Sequence, residues 1–335
     1  MTTTQVPAPT PVPSPAATGR TRRSWLRSPL GRLVLRRLRD AVIVQFLVVA
    51  VIFVIGYYVG DPVSAFASPE ATEEQLAQLR RSLGLDQPFW VQFGRYLEDL
   101  ARLDVGTSVW QQRPAMEAVW EVIGNTVLLA ILGAVAATVF GVVGGVLAGT
   151  RPGSAVDKVI NLISVLSLSV ASFWIGLLLI IVFAVRLNMV PTSGWYEWRG
   201  LILPVATLGF IHGGRICQVT RSVVLDEMSK AYVLVARSRG LPYRRLVAGH
   251  VLRNVAATVL TTAGWEFARM FGGSIYPIEV VFAWPGLGPL MTTAAHRHDF
   301  PIVEAAVLIT GALVILVNLA VDVASHLLDR RLRPE

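Results

Sequence analysis

Three stretches of this chain carry no charge at all: Ala41 to Gly60, Val122 to Thr150 and Val159 to Val185. Each reaches or exceeds the roughly 20 apolar residues a helix needs to cross a bilayer core. In hydrocarbon every backbone N–H and C=O must be satisfied within the segment, so uninterrupted runs of this length point to spanning helices. A fourth run starts at Leu201 and passes Ile211 before meeting Arg215. A fifth covers Val255 to Ile275 but holds Glu266 and Arg269. A sixth spans Ala305 to Val321 and is closed by Asp322. The expectation is an all-α polytopic membrane protein with six transmembrane helices, over about 41–60, 122–150, 159–185, 201–221, 255–275 and 304–326. A buried helix of a soluble domain is the rival for 201–214, and the three clear runs upstream argue against it.

Composition agrees. The chain is 53% hydrophobic and 16% charged, with a mean hydropathy of +0.57, where soluble domains carry about 25% charged residues. A net charge of +8 would suit a nucleic-acid partner in a soluble chain; here the apolar content argues against one. The basic residues follow the topology instead, because cytoplasmic loops retain Lys and Arg. Residues 20–39 hold eight arginines, and 221–254 hold seven Lys or Arg against Asp226 and Glu227. The loop 61–121 holds ten acids against five arginines. With both termini cytoplasmic, 151–158, the 222–254 segment and the terminal DRRLRPE all fall inside, while 61–121 and 276–303 fall outside. Residues 1–39 read as a Pro-, Thr- and Ala-rich disordered tail followed by a basic stretch, and 40–335 as the transmembrane domain. The arginines of 20–39 serve as a topology signal or as a contact with anionic membrane lipid. The first apolar run is too long and begins too late for a cleaved signal peptide.

In the second span Gly133, Ala137, Gly141, Gly145 and Gly149 recur every four residues. On a helix they form one small-residue ridge, and close backbone approach is what drives helix association in lipid. The partner is either another helix of the same bundle or a second subunit; the sequence leaves both open.

Several chemistries are missing. No G-x-x-x-x-G-K-[ST] loop exists, since neither Lys158 nor Lys230 follows a glycine, so the chain has no P-loop route to ATP hydrolysis. No G-x-S-x-G or H-E-x-x-H occurs. His296 and His298 with Asp299 read as loop residues rather than metal ligands.

The segment AYVLVARSRGLPYRRLVAGHVLRN, Ala231 to Asn254, is basic and sits between the fourth and fifth spans. From Leu225 to Ser238 no Pro or Gly interrupts, so a helix is expected there. Gly240 stops it, and Pro242 favours a second helix start. Ala236 and Gly240 are small and four apart, while Arg237, Arg239, Arg244 and Arg245 surround them. This pattern suits a short docking helix; a plain positive-inside loop is the alternative.

Here the chain resembles the inner-membrane permease subunits of bacterial ABC importers, in the dipeptide, oligopeptide and nickel branch, and among these the first permease of a pair. The family's EAA loop is matched by Asp226, Tyr232, Ala236, Arg237, Arg239, Gly240 and Leu241, then His250, Leu252, Arg253 and Asn254. Where the family usually has Lys, Arg239 stands here. Further matches are GDP at 60–62, LGLDQPFWVQF at 83–93, LDVGTS at 103–108, LNMVPTSGW at 187–195 and LILPVATLG at 201–209. EVVFAWPGLGPL at 279–290, HDFP at 298–301 and NLAVD at 318–322 complete them. The family's Pro-Arg pair near the C-terminus is replaced by Arg330-Arg331.

The resemblance implies the type I importer permease fold in a bacterial cytoplasmic membrane. It implies a pore made with a second homologous permease subunit, two ATP-binding subunits that bind ATP and Mg, and an extracytoplasmic substrate-binding protein. This chain then holds no cofactor or metal and is no enzyme. The EAA segment becomes the helix that couples ATP-driven closure to the pore. Glu266, Arg269 and Glu279 are nominated for the translocation path, with an ion pair bracing two helices as the alternative for the first two. Trp284, Pro285, Gly286 and Gly288 are assigned to a scoop-like external element, with Trp284 at the membrane interface; Asp299 belongs to the same outer region. Peptides are the expected cargo, and nickel chelates, glutathione or haem the family's other options. A non-transport membrane scaffold or sensor with a basic docking loop is the reading from another class.

Overall fold

A computed structural model describes residues 29–59, 72–82, 86–194 and 198–328. The first 28 residues of the tail, GDP at 60–62, the LGL that opens 83–93, Trp195 and Arg330-Arg331 lie outside the described residues.

The described residues form helices α1 (Pro29–Val59), α2 (Glu73–Ser82), α3 (Phe89–Ala101), α4 (Ala115–Gly149), α5 (Ala155–Ser169) and α6 (Ser172–Leu179). Then come α7 (Ile202–Met228), α8 (Ala231–Ser238), α9 (Tyr243–Leu246), α10 (Leu252–Arg269), α11 (Ile275–Val281), α12 (Leu287–His296) and α13 (Phe300–Leu328). Three π-helical turns interrupt them, at Ile180–Arg186, Val247–Val251 and Met270–Ser274. Among the described residues five helical runs are long and apolar enough to cross a membrane, and α5 with α6 make a sixth if the pair counts as one span.

That pair is the main departure from the apolar pattern. The run 159–185 reads as one straight span, yet α5 and α6 meet at 115°. No Pro or Gly marks the break. Val170 is extended (ψ 139) and Ala171 likewise (ψ 140), while Ser167 and Ser169 turn their hydroxyls onto the Ser164 and Val165 carbonyls. Such back-bonding bends helices and weakens the ladder. The start of α5 is conventional: Ser154 Oγ accepts from the Asp157 amide, and the Gly153 amide donates to Asp157. Arg221 then grips the Asp157 carboxylate with two bonds, tying α5 to α7.

The core of the bundle is the pairing of α4 with α7. The ridge of α4 meets α7 at a constant offset: Gly133 against Leu208, Gly141 against Ile216, Gly145 against Thr220 and Gly149 against Val224. A constant offset with matching four-residue steps means the two helices run parallel. A Cβ on Gly141 would stand 2.5 Å from that of Ile216, and one on Gly145 would stand 2.7 Å from the Cys217 carbonyl oxygen. Ala137 is fully buried in the same seam, where Gly213 of α7 passes its carbonyl. The ridge is therefore consumed within one bundle. By contrast α1 leans on α13 through Arg37–Asp322 (2.7 Å) and Gln45 to the Leu308 carbonyl (3.3 Å). It receives α3 through Phe53, whose ring meets Phe89, Phe93 and Tyr96.

Candidate functional site

The charged segment after α7 folds as two short helices resting on one buried carboxylate. The run Leu225 to Ser238 is not one helix. α7 ends at Met228, where the Ser229 hydroxyl donates to the Asp226 carbonyl (2.7 Å), and Lys230 is extended (ψ 148) before α8 begins. The break lets Glu227, 6% exposed, collect donors from three directions. Its Oε2 accepts from Lys230 Nζ at 2.6 Å, and its Oε1 accepts from the Tyr232 hydroxyl and the Asn254 amide, both at 2.8 Å. A buried carboxylate is tolerated only when so satisfied. Burial, and donation to Glu227, push the Tyr232 phenol above its ordinary range, so it remains a donor.

Asp226, the acid the sequence pattern nominates, is exposed and contributes only its backbone carbonyl among the described contacts. The acid at the hub is its neighbour Glu227. One residue of helical phase, 100°, separates the side of α7 that faces the segment from the side that does not.

α8 ends in a Schellman motif. The Leu241 amide donates to the Ala236 carbonyl (3.2 Å) and the Gly240 amide to Arg237 (3.0 Å). Gly240 has φ +74, a left-handed conformation that penalises any Cβ. Leu241 and Ala236 pack onto the same buried cluster, around Val233, Leu246, Val251 and Val255. Pro242 is extended (ψ 136) and launches α9. Tyr243 donates its hydroxyl to the Thr150 carbonyl (2.9 Å), and Arg237 lies 5.7 Å from its ring centre. What faces outward is informative. Leu234 is 72% and Val235 49% exposed, and Arg237, Arg239, Arg244, Arg245, His250 and Arg253 are all exposed around them. The segment presents an apolar patch with a basic rim on a rigid base.

A second constellation straps α11 and α12 to α4. Trp284 is 2% exposed, and its indole N–H donates to the Asn125 carbonyl (3.0 Å). Asn125 returns its amide to the Pro285 carbonyl (2.8 Å), and Thr126 Oγ1 accepts from the Leu287 amide (2.9 Å). Trp284 is thus a core residue, not an interfacial anchor: its one donor finds a backbone acceptor, which removes the reason for a wet edge. Glu279, nominated for a translocation path, is fully buried and accepts from the Gly288 amide at 2.6 Å, at the start of α12. Gly286 and Gly288 are required here, because a Cβ on either would collide with Glu279 or the Tyr276 carbonyl. Glu279 therefore caps α12 rather than facing a path. Asp299, also fully buried, accepts from the Ser108 hydroxyl and the Trp110 amide (3.0 Å), and Arg297 stacks 4.3 Å from the Trp110 ring centre. This joins the loop before α4 to the loop before α13.

Glu266 and Arg269 do pair, at 3.2 Å, but unequally: the Arg269 side chain is 67% exposed and that of Glu266 is 7% exposed. The sequence reading missed what lies beneath. His212 of α7, 5% exposed, bridges Glu266 Oε2 (2.9 Å, through Nδ1) and Ser274 Oγ (2.8 Å, through Nε2). A histidine within an apolar run was the available signal.

Parallel small-residue packing, a broken span and several helices long and apolar enough to cross a bilayer make this an all-helical, multi-pass membrane protein. Residues 141–334 match the family described as binding-protein-dependent transport system inner membrane component, and residues 30–114 match its N-terminal family. The chain is similar to a Brucella abortus (strain 2308) protein named as a peptide transport system permease, 34% identical over 90% of this chain and 98% of that one. It is also similar to the glutathione transport system permease GsiC of Salmonella paratyphi A, 35% identical over 87% and 95%. The fold is shared with the MetNI methionine ABC transporter in an inward-facing conformation, with a TM-score of 0.52 over 64% of this chain and 98% of that one, at 17% identity. The chain belongs to the family of inner-membrane permeases of binding-protein-dependent ABC importers. It is a multi-pass inner-membrane protein whose family works with ATPase and substrate-binding partners.

Proposed function

We propose that this chain is one half of the pore of a peptide importer, completed by a second homologous permease subunit. Two ATP-binding subunits hold ATP and Mg and hydrolyse the nucleotide. The 222–254 segment faces them in the cytoplasm, as do both termini, and a binding protein delivers cargo to the opposite side. The observation that carries the coupling role is the exposure of Leu234 and Val235 on α8, fixed from below by Glu227 and closed by Gly240. An apolar patch ringed by arginines, outside the apolar spans, suits the cleft of a partner protein better than lipid. A helix so anchored moves as a rigid lever, which is what conversion of a partner's closure into a pore transition needs. Arg269 lines the path with the buried Glu266 beneath it, whereas Glu279, Trp284, Gly286 and Gly288 hold the scoop in place. The two peptide and glutathione relatives support a peptide-like cargo.

The test is uptake of labelled di- and tripeptides by the reconstituted complex, with ATP hydrolysis stimulated by loaded binding protein measured beside it. Leu234→Asp and Arg237→Glu should each abolish uptake and stimulated hydrolysis while the subunits still co-purify. Undiminished uptake with both variants would remove the coupling role.

A further inference from the structure

Arg269 closes α10 with its side chain 67% exposed, at the end of the helix opposite to the exposed Arg253. On α10, Thr258, Thr262 and Trp265 fall within about 40° of Arg269, taking 100° per residue, and Gly273 follows at a kink beyond its end. Thr258, Trp265 and Gly273 are exposed and Thr262 is partly so. The two threonines continue this polar face for about 16 Å from Arg269 at 1.5 Å per residue. Leu260, 49% exposed, lies on the opposite face. The exposed groups nearest Arg269 along α10 are thus two threonines and an indole, and an intramembrane charge characteristically faces a cavity.

The way Arg269 is held matters more. Glu266 gives Oε1 to Arg269 and Oε2 to His212, and His212 is fixed in turn by Ser274. Both carboxylate oxygens are therefore engaged, and Arg269 receives one hydrogen bond instead of a two-pronged pair. A guanidinium has five N–H donors in a rigid fork. Among the described contacts one is used, through Nη1, on a side chain that is 67% exposed. Beyond it Gly272 and Gly273 leave open space, with nothing within 4 Å of a Cβ built at either. Gly273 adopts φ +141 at a kink between α10 and α11, so the backbone next to Arg269 turns without a side chain. A half-occupied guanidinium fork beside two residues without side chains has the chemistry and the room to receive a planar anion.

We propose that Arg269 recognises the carboxylate of the transported solute on the translocation path, with Glu266, His212 and Ser274 as positioning residues that aim it. The proposal rests on the importer reading and narrows its cargo to solutes with a free carboxylate, such as a peptide C-terminus.

The test uses the complete complex in proteoliposomes with its binding protein, and trialanine against trialanine amide as probes, affinity for the binding protein being measured separately for each. After normalising for that affinity, the wild type should import the carboxylate form at least about tenfold faster, as one charge-assisted contact allows. Arg269→Gln should erase the preference by slowing the carboxylate form alone, and Arg269→Lys should restore part of it. His212→Gln should raise the apparent KM for trialanine without lowering its maximal rate or the amide's uptake. Equal slowing of both forms by Arg269→Gln in an intact complex would overturn the proposal and leave the pair as a brace. A wild type that imports neither form while its ATPase still responds to the binding protein would refute the peptide reading; Arg269 is then decided on glutathione against its diethyl ester, by the same criteria.

Discussion

Replacing Glu227 by alanine removes the acceptor for Lys230, Tyr232 and Asn254 at once. The Tyr232 hydroxyl and the Asn254 amide lose their shared acceptor, Oε1. A buried donor left unpaired costs about 1–3 kcal/mol; Asn254 reaches solvent and Tyr232 is half-buried, so the low end applies to each. The Lys230 contact is half-exposed on the lysine side and adds about 0.5 kcal/mol after solvent screening. The sum is about 2–3 kcal/mol, or roughly 30- to 150-fold in the opening equilibrium of the segment at 1.4 kcal/mol per tenfold. Amide hydrogen exchange on the purified complex reads this directly: protection of 231–246 should fall by that factor, while α4 and α7 keep theirs. Glu227→Gln retains one acceptor and should lose less. Asp226→Ala, an exposed side chain one position away, should shift exchange by under about 0.5 kcal/mol. Equal effects of Asp226→Ala and Glu227→Ala, or none from Glu227→Ala, would refute the hub.

Two other perturbations separate packing from conformation. Gly141→Leu drives a side chain into Ile216 and the Gly213 carbonyl, and should lower the thermal midpoint of the detergent-purified chain by many degrees; an unchanged midpoint would mean the α4–α7 seam is looser than described. Gly240→Val meets open space but a φ of +74. It should cost about 1–2 kcal/mol, seen as exchange confined to 236–242 with the bundle untouched.

The spans could be read from the chain because transfer into hydrocarbon is a property of each segment by itself. The same holds for the four-residue glycine ladder and for Gly240 as a helix stop, which obey helical phase and local sterics. The N-cap of α5, Ser154 with the Asp157 amide, is local chemistry of the same kind, though the use of Asp157 as the seat for Arg221 is not. Other features were out of reach. Nothing in the run 159–185 marks the bend at Val170, since its serines act through hydroxyl bonds whose direction only the folded helix sets. The choice of Glu227 over Asp226 turns on one step of helical phase and on a donor 27 residues away.

What the sequence by itself determined is therefore which segments leave water, where the basic segment between them lies and where its helix stops. What only the tertiary structure decided is which polar groups share a bond. It put Trp284 and Glu279 into the interior, with the Trp284 indole bonded to a carbonyl 159 residues away, and it set His212 beneath Glu266 from 54 residues away. It also left Arg269 half-satisfied at the surface. Burial preferences act on each residue separately, whereas a hydrogen bond needs two groups at about 2.9 Å in the right direction, and only the packed bundle fixes that for distant residues.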